Sequence, residues 1–324
     1  MSTYYTSKYS GEQIDEAVKK IMDGEMTGDY ADRQLSNLDT PQAALANLGA
    51  GVRPNIARNP AFAVNQRNFT SDNWTSGYGP DGWDSMGSGY LTFNGSTICC
   101  YGQHICQRYE TGVIKKGKYT VSALCDGQIY AEMGYWGSEI AVYAISTNYQ
   151  NGIASVTLDI PSDNDEVMGY IYIHTVTSGG EITYVKIEQG STQTLAYQDS
   201  TGAWHLLPQP ESDYATQLAK CQRYFRRFPA NYAMGVLQSV SSVKAAFFRY
   251  ECIPPMRTTP VLLMQNQSDL TDAIDDGTSP ITPTKVVLGW RSNENVIGFY
   301  FEDASGNGGP GFVCNRYIDA SAEL

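Results

Sequence analysis

The chain has 324 residues, with 22 Lys and Arg against 34 Asp and Glu, a formal net charge of −12 at pH 7. This acidic balance excludes electrostatic capture of nucleic acid or of an anionic membrane surface as the main activity, and the length allows about two domains. Charged residues are only 17% and tyrosine is the favoured aromatic, 23 against 10 Phe and 5 Trp, so much of the surface polarity falls to short polar side chains and phenol hydroxyls.

No stretch reaches the ~18 uninterrupted apolar residues of a membrane span, so no membrane insertion is expected. Residues 1–11 are polar and tyrosine-rich and lack the apolar run of a secretory signal. Seven cysteines cannot all pair, and their scatter points to free, buried thiols and to synthesis in a reducing cytoplasm.

The first predicted element is a helix. Ser10 and Gln13 have capping-box spacing, Ile14, Ala17, Val18 and Ile21 follow on one helical face, and Gly24 suits the stop. A helix of about a dozen residues is marginal alone in water. Nothing close in sequence offers it a core, so other copies of the same helix are the expected partners. A second short helix covers Gln42 to Leu48, with Thr40 as N-cap, Pro41 at the first helical position and Gly49 after the end. Its Ala43, Ala44, Leu45 and Leu48 suit close packing around a shared axis. Residues 1–56 read as a helical stem.

From 57 to 204 the period changes to two. Tyr119–Cys125, Ser155–Ile160, Tyr170–His174 and Thr183–Ile187 alternate between Gly, Asn and Asp turns, which predicts a β-sandwich. Pro208 and Pro210 mark a linker. Residues 205–324 then hold one predicted helix, Asp213 to about Phe228, with Ser212 as N-cap and Leu218, Cys221 and Phe225 on its inner face. Lys220, Arg223 and Arg227 are expected outside. The strands Ala245–Tyr250, Val261–Met264, Lys285–Trp290 and Asn295–Phe301 follow, so the fold class is mainly β, with a second β-rich unit after the sandwich.

Arg33–Gly49 (RQLSNLDTPQAALANLG) resembles a segment of bacteriophage tail-fibre stems. Asn59–Arg67 (NPAFAVNQR) with Asp81-Gly82-Trp83, Gly117–Ser122 (GKYTVS) and Ile187–Thr194 (IEQGSTQT) resemble strands of carbohydrate-binding-module-like jelly rolls in such fibres. Leu218–Phe225 (LAKCQRYF) and Pro255–Pro260 (PMRTTP) resemble the fibre-tip domain. The resemblance implies a homotrimeric virion fibre made in the host cytoplasm, with Ile14, Val18, Ile21, Leu45 and Leu48 as trimer contacts. It implies an N-terminus held by tail or baseplate proteins and β domains that attach to a host cell-surface polysaccharide. A head-decorating or spacer fibre without receptor binding stays open, as does a glycan depolymerase.

Candidate binding residues are aromatic, because a sugar ring lays its C–H face on a π plane. Trp74, Tyr78, Tyr135 and Trp136 lie among Gly, Ser, Asp and Asn, where exposed loops are expected. If Ile171 and Ile173 point inward, Tyr170, Tyr172 and His174 line the opposite face of their strand. The resemblance makes Trp83 a core aromatic. Asp163, Asp165 and Glu166 form the densest oxygen cluster, readable as a Ca²⁺ loop or as a solvated turn without EF-hand spacing. Cys99, Cys100, His104 and Cys106 have zinc-binding atoms, but strand alternation sends neighbours to opposite faces, so no metal is expected. Three histidines and the absence of nucleophile-elbow, zincin or phosphate-loop motifs point away from an enzyme, and no cofactor is expected. Trp290 and Tyr300 are the alternatives if the last domain makes first contact.

Overall fold

A computed structural model describes residues 52–199, 201–209, 212–228, 234–240, 243–263, 274–275, 280–281, 285–288, 292–302, 312–314 and 318–323. The stem helices, with Ile14, Val18, Ile21, Leu45 and Leu48, and also Trp290, lie outside the described residues.

Eleven antiparallel strands build the first part: β1 (Ser71–Trp74), β2 (Gly77–Tyr78), β3 (Asp84–Phe93), β4 (Ile98–Tyr109), β5 (Gly117–Cys125), β6 (Ile129–Tyr135), β7 (Ala141–Ile145), β8 (Asn148–Gln150), β9 (Ile153–Ile160), β10 (Gly169–Thr175) and β11 (Gly180–Gln189). They form one sheet in the order β7-β6-β10-β4-β11-β5-β9-β8, with β3 on β4, and β1 and β2 on β3. The long β4 serves both layers. Its 105–109 end pairs with β10 and its 98–100 end with β11, so the sheet folds over and β6 and β7 come against β9.

Between the layers lie Ile105, Met133, Ile171 and Ile173 from one side and Val121, Leu158, Val185 and Ile187 from the other. Their period of two is the alternation that marks these strands in sequence. Trp83 is fully buried, donates its indole N–H to the Asn59 carbonyl at 2.9 Å and meets Phe62 edge-on.

Halfway along β4 the alternation breaks. Tyr101 and Gly102 together oppose Tyr90, a bulge that Gly102 closes with a φ of 73°. Before it Ile98 and Cys100 face the core; after it Gln103, Ile105, Gln107 and Tyr109 do. His104, Cys106 and Arg108 are thereby turned to the other side of the sheet.

Asn55–Ser191 and Glu211–Leu324 belong to one compact unit. Among the described residues its later part holds the helix α1 (Tyr214–Gln222) and two sheets. β14 (Phe225–Phe228), β23 (Ile318–Ser321) and β17 (Val261–Leu263) form the smaller sheet, in that order. The larger runs β19 (Pro280–Ile281), β18 (Ile274–Asp275), β22 (Phe312–Cys314), β15 (Met234–Val240), β16 (Val243–Glu251), β21 (Val296–Glu302), β20 (Lys285–Leu288). The helix is shorter than its sequence suggests. Asp213, not Ser212, caps it by accepting the Thr216 N–H at 2.9 Å, and Phe225 opens β14, paired to Ser321. Cys221 is buried as expected and Leu218 half-buried. Arg227, expected outside, is bound to Asp319 at 2.7 Å.

This part docks on the sandwich through polar contacts. The Asn59 N–H donates to the Gln217 side chain at 2.8 Å, and the Arg58 guanidinium lies over the rings of Tyr224 and Tyr109 at 4.1 and 5.5 Å. In the other unit, β12 (Ala196–Gln198) and β13 (Trp204–Leu206) make a hairpin whose Asp199 accepts from Thr201, Ala203 and His205.

Candidate functional site

The face released by the β4 bulge is built by register. β10 contributes Tyr170, Tyr172 and His174. Beside them β6 places Gly134, Glu132 and Tyr130, and Tyr143 of β7 stands opposite Glu132. On the other flank β4 sets Arg108 and Cys106 opposite Tyr170 and Tyr172, and Asp84 of β3 lies opposite Cys106.

The aromatic rings of this face touch in sequence. Trp136 meets Tyr170 edge-on at 6.1 Å and Tyr170 lies 4.5 Å from Tyr172. From there the row continues to His104 at 5.8 Å, His174 at 4.6 Å, Tyr130 at 5.0 Å and Tyr143 at 5.9 Å. Along β10 alone, Tyr170 to His174 spans about 14 Å at ~3.4 Å per residue. Tyr143 is 70% exposed and Trp136, in the β6–β7 turn, 36%. Tyr170 is 7% exposed, so it supports its neighbours more than it presents a surface.

Glu132 sits among these rings. One carboxylate oxygen accepts the Tyr130 hydroxyl at 2.6 Å and the other the Tyr170 hydroxyl at 2.7 Å. Gly134 leaves the room for this: a Cβ there would stand 3.1 Å from the Tyr170 oxygen and 2.4 Å from the Ile140 carbonyl. Burial first, and the bond to the Glu132 carboxylate second, raise both phenols above the usual tyrosine range. Burial also pushes Tyr172 up to about 12, and among the described residues its hydroxyl has no partner.

Burial, with His174 beside it, lowers the His104 imidazole below its ordinary value, and burial lowers His174. Both rings are therefore neutral near pH 7. The His174 Nδ1–H donates to the Thr175 carbonyl at 2.7 Å, since a carbonyl only accepts. Arg108 is bound to Asp84 at 2.8 Å, and its guanidinium lies 4.6 Å over the Trp136 ring.

Four of the sequence candidates, Trp136, Tyr170, Tyr172 and His174, thus come together. Two do not. Trp74 is 3% exposed because Gly79, lacking a Cβ, lets its ring pack inward, where the indole N–H donates to the Gly77 carbonyl at 2.7 Å. Tyr135 is 1% exposed: it shares the inward parity of Ala131 and Met133, and its hydroxyl donates to the Ile114 and Ser162 carbonyls, both at 3.2 Å. Tyr130, Glu132, Tyr143, His104 and Arg108 join the face without having been singled out for it. For Tyr130 and Glu132 the signal was present, in the alternation of Ile129, Ala131 and Met133.

The acidic loop answers lysines, and within it the Glu166 N–H donates to the Asn164 side chain at 3.3 Å. Asp163 accepts the Lys116 backbone N–H at 2.6 Å and Asp165 the Lys115 ammonium at 2.5 Å.

No protein-family model matches the chain, and no curated protein does. Among solved structures it is similar to the CBM22-1–GH10 modules of Clostridium thermocellum endo-1,4-β-D-xylanase 10B complexed with xylohexaose, at 15% identity and a TM-score of 0.28, covering 45% of this chain and 30% of that one. It is also similar to a Paenibacillus cycloisomaltooligosaccharide glucanotransferase complexed with cycloisomaltoheptaose, at 10% identity and a TM-score of 0.21, covering 83% of this chain and 46% of that one. The chain spans less than half the length of either protein, and at these TM-scores the likeness is too slight to transfer a fold or a ligand.

Proposed function

We propose that this chain binds a cell-surface glycan on the face formed by β4, β6, β7 and β10, and that it does so without chemistry on the bound sugar. The observation that carries the reading is the row of contacting rings from Trp136 to Tyr143, set around Glu132 and the unpartnered Tyr172 hydroxyl. Sugar C–H faces would lie on the exposed rings while sugar hydroxyls meet the fixed polar groups between them, the usual division of labour in a small-ligand site. Since the rings are braced before any ligand arrives, little ordering cost is left for binding.

The sequence resemblance supports placing this face on a bacteriophage fibre, joined in threes by the residue 1–56 stem and held to tail or baseplate proteins through it. Three copies on one axis would turn a shallow, weak site into firm attachment. The free cysteines among the described residues agree with synthesis in a reducing host cytoplasm.

Glycan-array and cell-attachment measurements on the full chain test the reading. Tyr170→Ala/Tyr172→Ala is expected to reduce binding by about tenfold or more, the usual weight of a buried anchor. Unchanged binding in this pair and in Trp136→Ala would move recognition away from the face.

A further inference from the structure

We propose that Glu132 is the specificity-determining acceptor of the ring face, selecting uncharged, hydroxyl-rich glycans over their uronate or sulfated counterparts. The inference rests on the glycan-binding reading and adds the substrate class and the residue that sets it.

A carboxylate offers about four lone-pair sites on two oxygens. At Glu132 one site on each oxygen is taken, by the phenols of Tyr130 and Tyr170. Those two donors lock the carboxylate's orientation, and in return each ring is held by its hydroxyl. Since the side chain is only half-buried, the remaining acceptor sites stay within reach of ligand hydroxyls. A rigid acceptor of this sort rewards a ligand that brings O–H donors over one that brings only acceptors, because the latter covers the remaining lone-pair sites without filling them.

Charge points the same way. The Arg108 guanidinium is committed to Asp84, and burial keeps His104 and His174 neutral. Among the described residues that leaves Glu132 as the uncompensated charge of the face. An anionic substituent laid on Tyr172, directly across the ladder from Glu132, would meet a like charge without a free cation beside it.

Two measurements separate the parts of this proposal. The first is a glycan array on the full chain, each neutral oligosaccharide printed beside its uronate and its O-sulfated form. Wild type should favour the neutral members. Glu132→Gln, which keeps the shape but turns half of the acceptor into a donor, should lose about tenfold on them and narrow the neutral-to-anionic ratio. Glu132→Asp, which keeps the charge but not the reach, should retain the ratio at weaker binding. The second is an alkaline absorbance titration without ligand, in which Glu132→Gln should let the Tyr130 and Tyr170 phenols ionise at lower pH than in wild type. An unchanged ratio in Glu132→Gln, on a wild type that binds glycans, overturns the proposal and leaves the binding reading standing. An unchanged titration overturns the bracing of the two rings. A wild type that binds no member of the array overturns both readings.

Discussion

The Arg67 guanidinium holds the Glu323 carboxylate across 256 positions of sequence and, with its other nitrogen, binds Asp81 at 3.1 Å. The same group lies 3.5 Å over the Phe225 ring, and Gln66 ties Asp81 to the Phe225 carbonyl at 2.6 and 2.9 Å. Two buried carboxylates therefore share one directly bound cation, with Arg58 and Arg227 in range as further positive charge. Burial pushes Asp81 up to about 6 and Glu323 up to about 7, against the pull of Arg67.

Both values lie above those of an exposed carboxylate, so near pH 5 the folded chain holds protons that the unfolded chain has released. The contribution to stability is full below about pH 4 and falls as pH rises through 6 and 7. Thermal unfolding should accordingly occur at a higher temperature at pH 5 than at pH 8. Glu323→Gln should flatten the profile, and a profile equally steep in that variant would show that the pair is not its source.

Salt offers an independent check on the ring face. Stacking is barely screened, so binding of a neutral glycan should change little between about 50 and 500 mM salt. A loss of binding over that range, read by calorimetry or by cell attachment, would mean that charge pairs dominate.

Gly134→Ala should cost about 1–3 kcal/mol, as overpacking does. Its Cβ would press on the Ile140 carbonyl and the Tyr170 hydroxyl, so β6 must part from β7 or Tyr170 must leave Glu132. Urea unfolding and the near-ultraviolet dichroism of the tyrosines should both register the change.

Cys221 is 1% exposed, and its thiol lies 4.0 Å from the Asp81 carbonyl. Cys221→Ser should destabilise the chain by about 1–3 kcal/mol through a poorly satisfied hydroxyl. Rapid labelling of this thiol in the native protein would contradict its burial.

Light scattering on the full chain should return about three times 35.6 kDa if the stem assembles as proposed. A monomer at micromolar concentration would end the trimer proposal.

Sequence and structure agree where the contacts are local. Ile171 and Ile173 announce the inward side of β10, and from them the shared face of Tyr170, Tyr172 and His174 follows. What alternation cannot convey is an interruption within a strand, and the Tyr101–Gly102 bulge is one. Counting by twos from Ile98 puts His104 and Cys106 with the core and hides the ring contacts of His104. Nor does a helical stripe reveal where a helix stops when the stop is set by a distant partner: Phe225 continues the stripe of Cys221 but is claimed by Ser321. Trp74 misleads for a third reason, since its Gly-rich surroundings suggest exposure, whereas the glycine is what admits its ring to the interior.

The bulge in β4 also governs how this surface can vary. Substitutions at 104 or 108 alter the face and leave the packing of Ile105 and Gln107 behind it in place, whereas Cys106 between them is itself fully buried. Loss of the single residue Gly102 would exchange the two sets, carrying an arginine inward and an isoleucine outward along half a strand. The turn at Trp136 and Gly137, outside the ladder, has no such parity to protect. New ligand preferences should accordingly arise by point changes on β4, β6 and β10 and by changes of length only in that turn, so that an inserted or deleted codon is tolerated at one end of the face and lethal in its middle.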